Sequence, residues 1–447
     1  MNDAGIPVEL LDIARAIASQ SRKMGADEAA VSVTRSTEVS LMRRAGKLEQ
    51  ATQATSLGVS LALLVEDRYS VHSTSDLRPN ALRAFLERAI SATRVLEPEP
   101  ERRQPPRELC GRGAAEAQLD VWDGSQPTIE AEQRRVEAER LEASVDALPD
   151  RGRLKSATVF CGDSATETVR VMTNGFEGTH RATGFGAGAE MTLEEPGGRR
   201  PEGYAYYAAT HHDDVPGPDQ VAKEAWRRTA MRLDAGPAAS GRYPMLLDAQ
   251  SVGRILGVLG GPLAGSELHQ GRSFLAGRQG TRIASPKLTI LDDPFIPRGL
   301  GSRPYDGDGV AAKPFAVVRD GVLENYYLNV YYGRKLGMKP TTGGRSNWVV
   351  PHGERSPEQI LAELPRCIVV NGFLGGNSNG LTGDFSFGIQ GLLVEKGEVV
   401  QHLSEMNVSG NIGDVLERFV EAGNDVWKYG GLRSGSLLFE DVQFSGK

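Results

Sequence analysis

Cysteine is scarce. The three present, Cys110, Cys161 and Cys367, are widely spaced and odd in number, so no disulfide framework or CxxC metal knuckle follows from them. Aromatic residues make up only 6% of the 447 positions. Positive charge is not in excess either, with 51 basic against 58 acidic side chains and a net charge of −7. That balance argues against direct nucleic-acid binding, which normally calls for a basic face. Long apolar runs are missing. The longest, at 59–65 and 389–394, are strand-sized and cannot span a bilayer, so no membrane association is expected. The opening MNDAGIPVELLDIARAIA starts with an acid and never reaches the apolar run of a signal peptide, which predicts a cytoplasmic protein. Glycine, in contrast, is abundant, at 53 residues without a collagen period. Such a surplus points to many tight turns and bulges in a β-rich chain.

The order of hydrophobic periods predicts an α+β protein: two N-terminal α/β-meander units followed by a large mixed, mostly β C-terminal domain. The first unit covers 1–96. Leu10, Leu11, Ile13, Ala14 and Ile17 recur at helical spacing over 8–24, and Gly25 is placed to end that helix. Strands are then expected at 29–34, 38–43, 48–54 and 59–65, with a turn at Ala45-Gly46-Lys47 and a helix over 77–96. A linker at 97–120 begins with the Pro-rich, charged EPEPERRQPPR. The second unit, 121–233, opens with a polar helix over 128–148 carrying Glu130–Arg134 and Arg135–Glu139 at i,i+4 spacing. Strands follow at 157–161, 167–172, 179–182, 186–193 and 203–210, with Asn174-Gly175 as a hairpin signal, and a helix over 219–233 closes the unit. The third unit, 241–447, shows short apolar strands between Gly-bearing turns. Its one clear helix, 356–364, starts with Ser356 as N-cap and Pro357 in the first turn.

No self-contained catalytic constellation emerges. The seven histidines include no HExxH pair, and only His211-His212-Asp213-Asp214 has ligand chemistry. Neighbouring side chains on a strand point to opposite faces, so a solvated strand end is the expectation there. Gly376-Asn377-Ser378-Asn379-Gly380 matches G-x-S-x-G, but no helix signal follows Ser378 as a nucleophile elbow requires. Phosphate-binding motifs in strand-turn-helix context are absent, and Gly184-Phe185-Gly186-Ala187-Gly188 runs into a strand. Asp306-Gly307-Asp308-Gly309 lacks the later acidic ligands of a calcium loop and reads as a turn. The acidic pairs Asp292-Asp293, Glu194-Glu195 and Asp213-Asp214 sit beside Pro or Gly in loops and carry no assigned role.

The third unit resembles the TldD/PmbA proteins. Residues 299–309 (GLGSRPYDGDG) look like that family's G-S-x-P-x-D-x-x-G segment, and 326–344 (YYLNVYYGRKLGMKPTTGG) like its Y-L-x-x-x-Y-x-A-R-K-L-G segment. Gly383-Asp384-Phe385-Ser386 with 391–397, then Gly423-Asn424-Asp425 and Gly435-Ser436, continue the match in order. In the TldD branch of the family, zinc is held by an HExxxH helix and a Cys near the C-terminus. The helix should follow a strand at 243–247, where this chain has DAQSVGRILGVLGG at 248–261, without His, Cys or Glu; 426–436 (VWKYGGLRSGS) contains no Cys.

That pattern is similar to the PmbA/TldE branch, which lacks the zinc motif. The resemblance implies a non-catalytic subunit with no catalytic, metal or cofactor residue of its own, paired as a heterodimer with a zinc-bearing TldD-like catalytic subunit. The pair would degrade or process unfolded peptides. The alternatives are a stand-alone regulatory binding protein, for instance a topoisomerase modulator, and a serine hydrolase using Ser378. Extended peptides can add to strand edges, and Tyr326, Tyr327, Tyr331, Tyr332 and Trp348 are either groove-lining or ordinary core and strand residues.

Overall fold

The computed structural model describes residues 8–111, 119–149 and 151–447. Helix α1 (Val8–Lys23) buries Leu10, Ala14, Ile17 and Ala18 along one side and ends at Gly25, whose φ of 102° suits glycine alone. Strands β1 (Glu28–Arg44), β2 (Lys47–Val65) and β3 (Arg68–Thr74) then form an antiparallel meander. Ala45 and Gly46, both at positive φ, make the β1–β2 turn where the sequence places it. Helix α2 (Pro79–Thr93) returns over the meander and buries Leu86, Ala89 and Ile90.

The strands are longer than their apolar runs. The four strands expected over 29–65 are two, and those expected over 157–172 and 179–193 merge into β4 (Leu154–Met172) and β5 (Glu177–Leu193). Polar stretches such as Arg35–Thr37 stay extended because cross-strand partners hold them. Thr34 and Thr168 hydroxyls lie 3.1 Å apart, and Arg35 pairs with Glu167. With β6 (Glu202–Ala209) the N-terminal strands form one six-stranded sheet, ordered β3-β2-β1-β4-β5-β6. β1 and β4 pair from Ala30↔Met172 to Arg44↔Thr158, so the segments before and after the expected linker share this sheet. Helix α3 (Ala131–Asp146) and helix α4 (Pro218–Ala230) cover its second half. Val31, Val33, Val59, Leu61, Val169 and Val171 face α1 and α2. By strand alternation Val159 and Ala189, under α3 and α4, lie on the same side.

The connecting segment is docked. Arg334 donates to the carbonyls of Glu101 and Gln104, each at 2.9 Å, and the Gly111 amide donates to Gly309 at 3.1 Å. Positions 112–118 of the expected linker lie outside the described residues.

In the C-terminal region β7 (Gly241–Leu247) is the first strand of a closed barrel. A small sheet, ordered β10-β9-β8-β11-β16, comprises β8 (Ile290–Asp292), β9 (Phe315–Arg319), β10 (Val322–Leu323), β11 (Trp348–Val349) and β16 (Leu432–Arg433). The barrel strands are β7, β12 (Cys367–Ser378), β13 (Asp384–Glu395), β14 (Glu398–Asn411) and β17 (Leu437–Ser445), with β15 (Phe419–Ala422) added to β17. Pairing of β17 with β14, Asn407↔Ser445 and Val408↔Phe444, closes the ring and removes both edges. Met245, Leu247, Ile368, Val370, Phe387, Ile389, Val408, Phe439 and Phe444 belong to its buried core. Among the described residues no helix is long and apolar enough to cross a membrane.

Candidate functional site

Barrel strand β7 ends at Leu247, and Asp248 turns the chain by accepting the Gln250 amide at 3.0 Å. Helix α5 (Val252–Leu256) follows and runs into one 3-10 turn, Gly257–Leu259. Val252, Ile255, Leu256 and Leu259 are fully buried, so this short helix is pinned by its apolar side. Arg254 leaves the opposite side. Its guanidinium carbon lies 4.3 Å from the Phe387 ring centroid, and one nitrogen donates to the carbonyls of Gly375 (3.1 Å) and Gly376 (3.3 Å). The charge is met by a π face and carbonyl dipoles, which suits a cation.

The segment 426–436 packs against α5: a Cβ on Gly253 would stand 3.9 Å from Leu432 Cδ2. Its two serines are already committed. Ser434, fully buried, donates to the Gly435 carbonyl at 2.7 Å, and the Ser436 hydroxyl donates to Asp425 at 2.6 Å. Two segments far apart in sequence thus meet at one end of the barrel.

The junction with the N-terminal sheet lies beside them. Arg228 of α4, buried, pairs with Glu224 at 2.7 Å and Asp248 at 3.0 Å and donates to the Asn371 carbonyl at 3.3 Å. Tyr207 of β6 packs on Trp427 and Tyr429, with ring centroids 5.2 and 4.9 Å away. The sequence reading missed this anchor. Its available signal was a charged residue on the apolar stripe of the 219–233 helix, three positions after Ala225 and seven after Val221.

Family models match two stretches: the PmbA/TldA metallopeptidase C-terminal domain at residues 240–446 and PmbA/TldA metallopeptidase domain 1 at residues 29–93. The metalloprotease PmbA of Escherichia coli O157:H7 is 27% identical over 424 residues, covering 94% of this chain and 93% of that protein. The chain belongs to the PmbA/TldD metallopeptidase family. A crystal structure of a Bacteroides thetaiotaomicron protein described as a candidate modulator of DNA gyrase superposes with a TM-score of 0.95 at 31% identity, covering 99% of this chain and 100% of that one. TldE from Thermococcus kodakarensis shares the fold, with a TM-score of 0.84 at 18% identity over 97% of this chain and 100% of that one.

A zinc ion of this metallopeptidase family needs three protein ligands drawn from His, Cys and carboxylates. The residues between β7 and Gly261 do not fit one. Apolar side chains fill the inner side of α5, glycines stand at 257, 260 and 261, and the outward position carries the fixed positive charge of Arg254. Asp248 is engaged by Arg228, and the serines opposite are spent on local bonds. Among the described residues no group of three or more His, Cys, Asp or Glu side chains is arranged to hold a metal.

The other singled-out residues are dispersed. His211 turns to Asp120 at 3.3 Å, whereas His212 turns to Glu137 at 3.0 Å, so the two imidazoles serve different partners. The hydrogen bond to Glu137 pushes His212 up to about 9, against burial that lowers it. His212, Glu137 and Cys161 line a cavity of about 610 Å³ between α3 and the sheet. Burial pushes the Cys161 thiol up to about 12, which leaves it protonated and a poor nucleophile. Ser378 is exposed at the end of β12, opposite Phe385 of β13, in a strand-turn-strand arrangement. Asp306 forms a turn by accepting the amides of Asp308 (2.9 Å) and Val310 (3.0 Å). Tyr326, Tyr327 and Trp348 belong to the buried hydrophobic core, Tyr331 is buried and donates to Glu99 at 2.9 Å, and Tyr332 is partly buried. Asp292, 1% exposed, accepts the Tyr327 hydroxyl at 2.6 Å and the Ser346 amide at 2.9 Å.

Proposed function

We propose that this chain is a non-catalytic, metal-free subunit of a TldD/TldE-type metalloprotease, acting in the cytoplasm beside a TldD-like subunit that carries the zinc. In this reading the pair degrades or processes unfolded peptides, and this chain helps form the chamber that admits them. The observation that carries the proposal is Arg254 with its π and carbonyl partners at the outward position of α5, where a ligand-bearing helix would present donors. The fold it shares with TldE is consistent with that assignment.

Metal analysis tests it directly. The chain purified from zinc-supplemented culture and desalted is expected to carry far less than one zinc per molecule. Stoichiometric zinc would overturn the reading.

A second reading has one observation in its favour. The Bacteroides thetaiotaomicron relative is described as a candidate modulator of DNA gyrase, which fits a stand-alone regulatory binding protein acting on a topoisomerase. That version requires function without any protease subunit.

A further inference from the structure

The cavity of about 610 Å³ beside α3 belongs to neither the candidate site nor the barrel. Helix α3 buries Ala138, Leu141 and Val145, while its Gln133, Val136, Glu137 and Arg140 flank the cavity. Those four positions fall on a single side of a helix. The opposite wall is the chain from Val215 to Pro218, where two prolines restrict the backbone. Leu141, Cys161 and Ala187 line the floor, and the last two are cross-strand partners on β4 and β5. Both of those side chains are small, which leaves room above them.

Two hydrogen bonds tie α3 to the facing wall. Glu137 meets His212 at 3.0 Å, and Ser144 donates to Asp219, in the first turn of α4, at 2.7 Å. Glu137 and Ser144 stand two turns apart, about 10 Å along the helix. The result is a slot closed at both ends, with a volume inside the range of ordinary small-molecule sites, roughly 300–1,000 Å³. Its apolar floor gives water few hydrogen-bond partners.

The charges around the slot do not balance. Glu132 accepts from Arg135 at 2.8 Å, Glu137 is met by His212, and Arg134 pairs with the buried Asp163 at 2.6 Å. Arg140 is exposed at the rim between the two ties and, among the described residues, makes no hydrogen bond, ion pair or ring contact. We propose that the slot binds a small aliphatic monocarboxylate, with its chain on the Leu141, Cys161 and Ala187 floor and its carboxylate on Arg140. A guanidinium offers parallel N–H donors that match the two oxygens of one carboxylate. Inorganic phosphate would leave the floor uncovered, and a neutral apolar molecule would leave Arg140 without its counter-charge. This inference stands apart from the subunit reading above.

The test is calorimetric titration of octanoate into the full-length chain at neutral pH. One saturable site per chain is expected, with a Kd of about 0.1 mM. Arg140→Gln, and 1-octanol in place of octanoate, are each expected to weaken binding about tenfold. Arg88→Gln, an equal loss of charge at an exposed position of α2, is expected to leave it unchanged. Val136→Trp sets a ring in the slot and should abolish binding with unchanged circular dichroism. Should that variant misfold, Arg140→Gln decides the matter, since its side chain is exposed and unpartnered. No saturable binding by the parent chain, equal affinity in Arg140→Gln, or equal binding of 1-octanol would each overturn the proposal. Tighter binding of N-acetyl-leucyl-leucine than of octanoate would overturn it in favour of a peptide C-terminus.

Discussion

Arg254 stacks on Phe387, with 4.3 Å between guanidinium carbon and ring centroid, and this contact ties α5 to the barrel wall. Phe387 is buried, while the arginine is exposed, so the contribution is that of a surface cation–π pair with two carbonyl hydrogen bonds. Arg254→Ala is expected to lower unfolding stability by about 1 kcal/mol in urea denaturation. A neutral result would show that α5 is held by its buried apolar side alone.

Tyr327, Trp348 and Asp292 form a buried chain in which the indole N–H donates to the phenol and the phenol donates to the carboxylate. Tyr327→Phe keeps the ring but deprives both neighbours of a partner. A loss of about 1–3 kcal/mol is expected in the same denaturation assay, because the buried indole N–H is left without an acceptor, while Asp292 keeps its bonds from Ser346.

Arg228 joins the N-terminal sheet to the barrel through Asp248, and its removal takes the paired cation from that carboxylate, while Glu224 keeps Arg227 at 2.7 Å. Arg228→Met should cost about 3 kcal/mol. Asp248→Asn in the Arg228→Met background should cost much less than in the parent, which a double-mutant cycle checks.

The His212–Glu137 pair makes stability pH-dependent. Its imidazole is pushed up to about 9 in the folded chain, above the ordinary value near 6.5. The charged pair therefore stabilises fully below about pH 6.5, and this contribution is lost as pH rises through about 9. Both side chains are nearly half exposed, so solvent screening reduces the effect. Melting temperature should fall over that window in the parent chain and less so in Glu137→Gln. Parallel pH profiles for the two would contradict the assignment.

The fold was legible where apolar spacing carried the information. α1, α2 and the hairpin turns at Ala45-Gly46 and Asn174-Gly175 lie where their residues indicate. Strand lengths were not legible, because segments such as Arg35–Thr37 and Thr55–Gly58 are polar and owe their extension to neighbours contributed from elsewhere. Barrel closure was equally hidden. It depends on β14 meeting β17, and the polar, Glu-bearing β14 gives little alternation to read. At the candidate site the missing donors at 248–261 could be read from residue types. The packing of 426–436 against α5, and the seating of Arg254 on Phe387, required distances that no spacing rule supplies.

The most direct test of the subunit reading is hydrolysis of an unstructured peptide by this chain alone, by a TldD-like protein alone, and by the two mixed, each with and without a zinc chelator. Cleavage by the mixture, abolished by the chelator and absent with this chain alone, is the expected result. Cleavage by this chain alone in the presence of the chelator would contradict it and turn attention to Ser378, through loss of activity in Ser378→Ala and labelling by a fluorophosphonate.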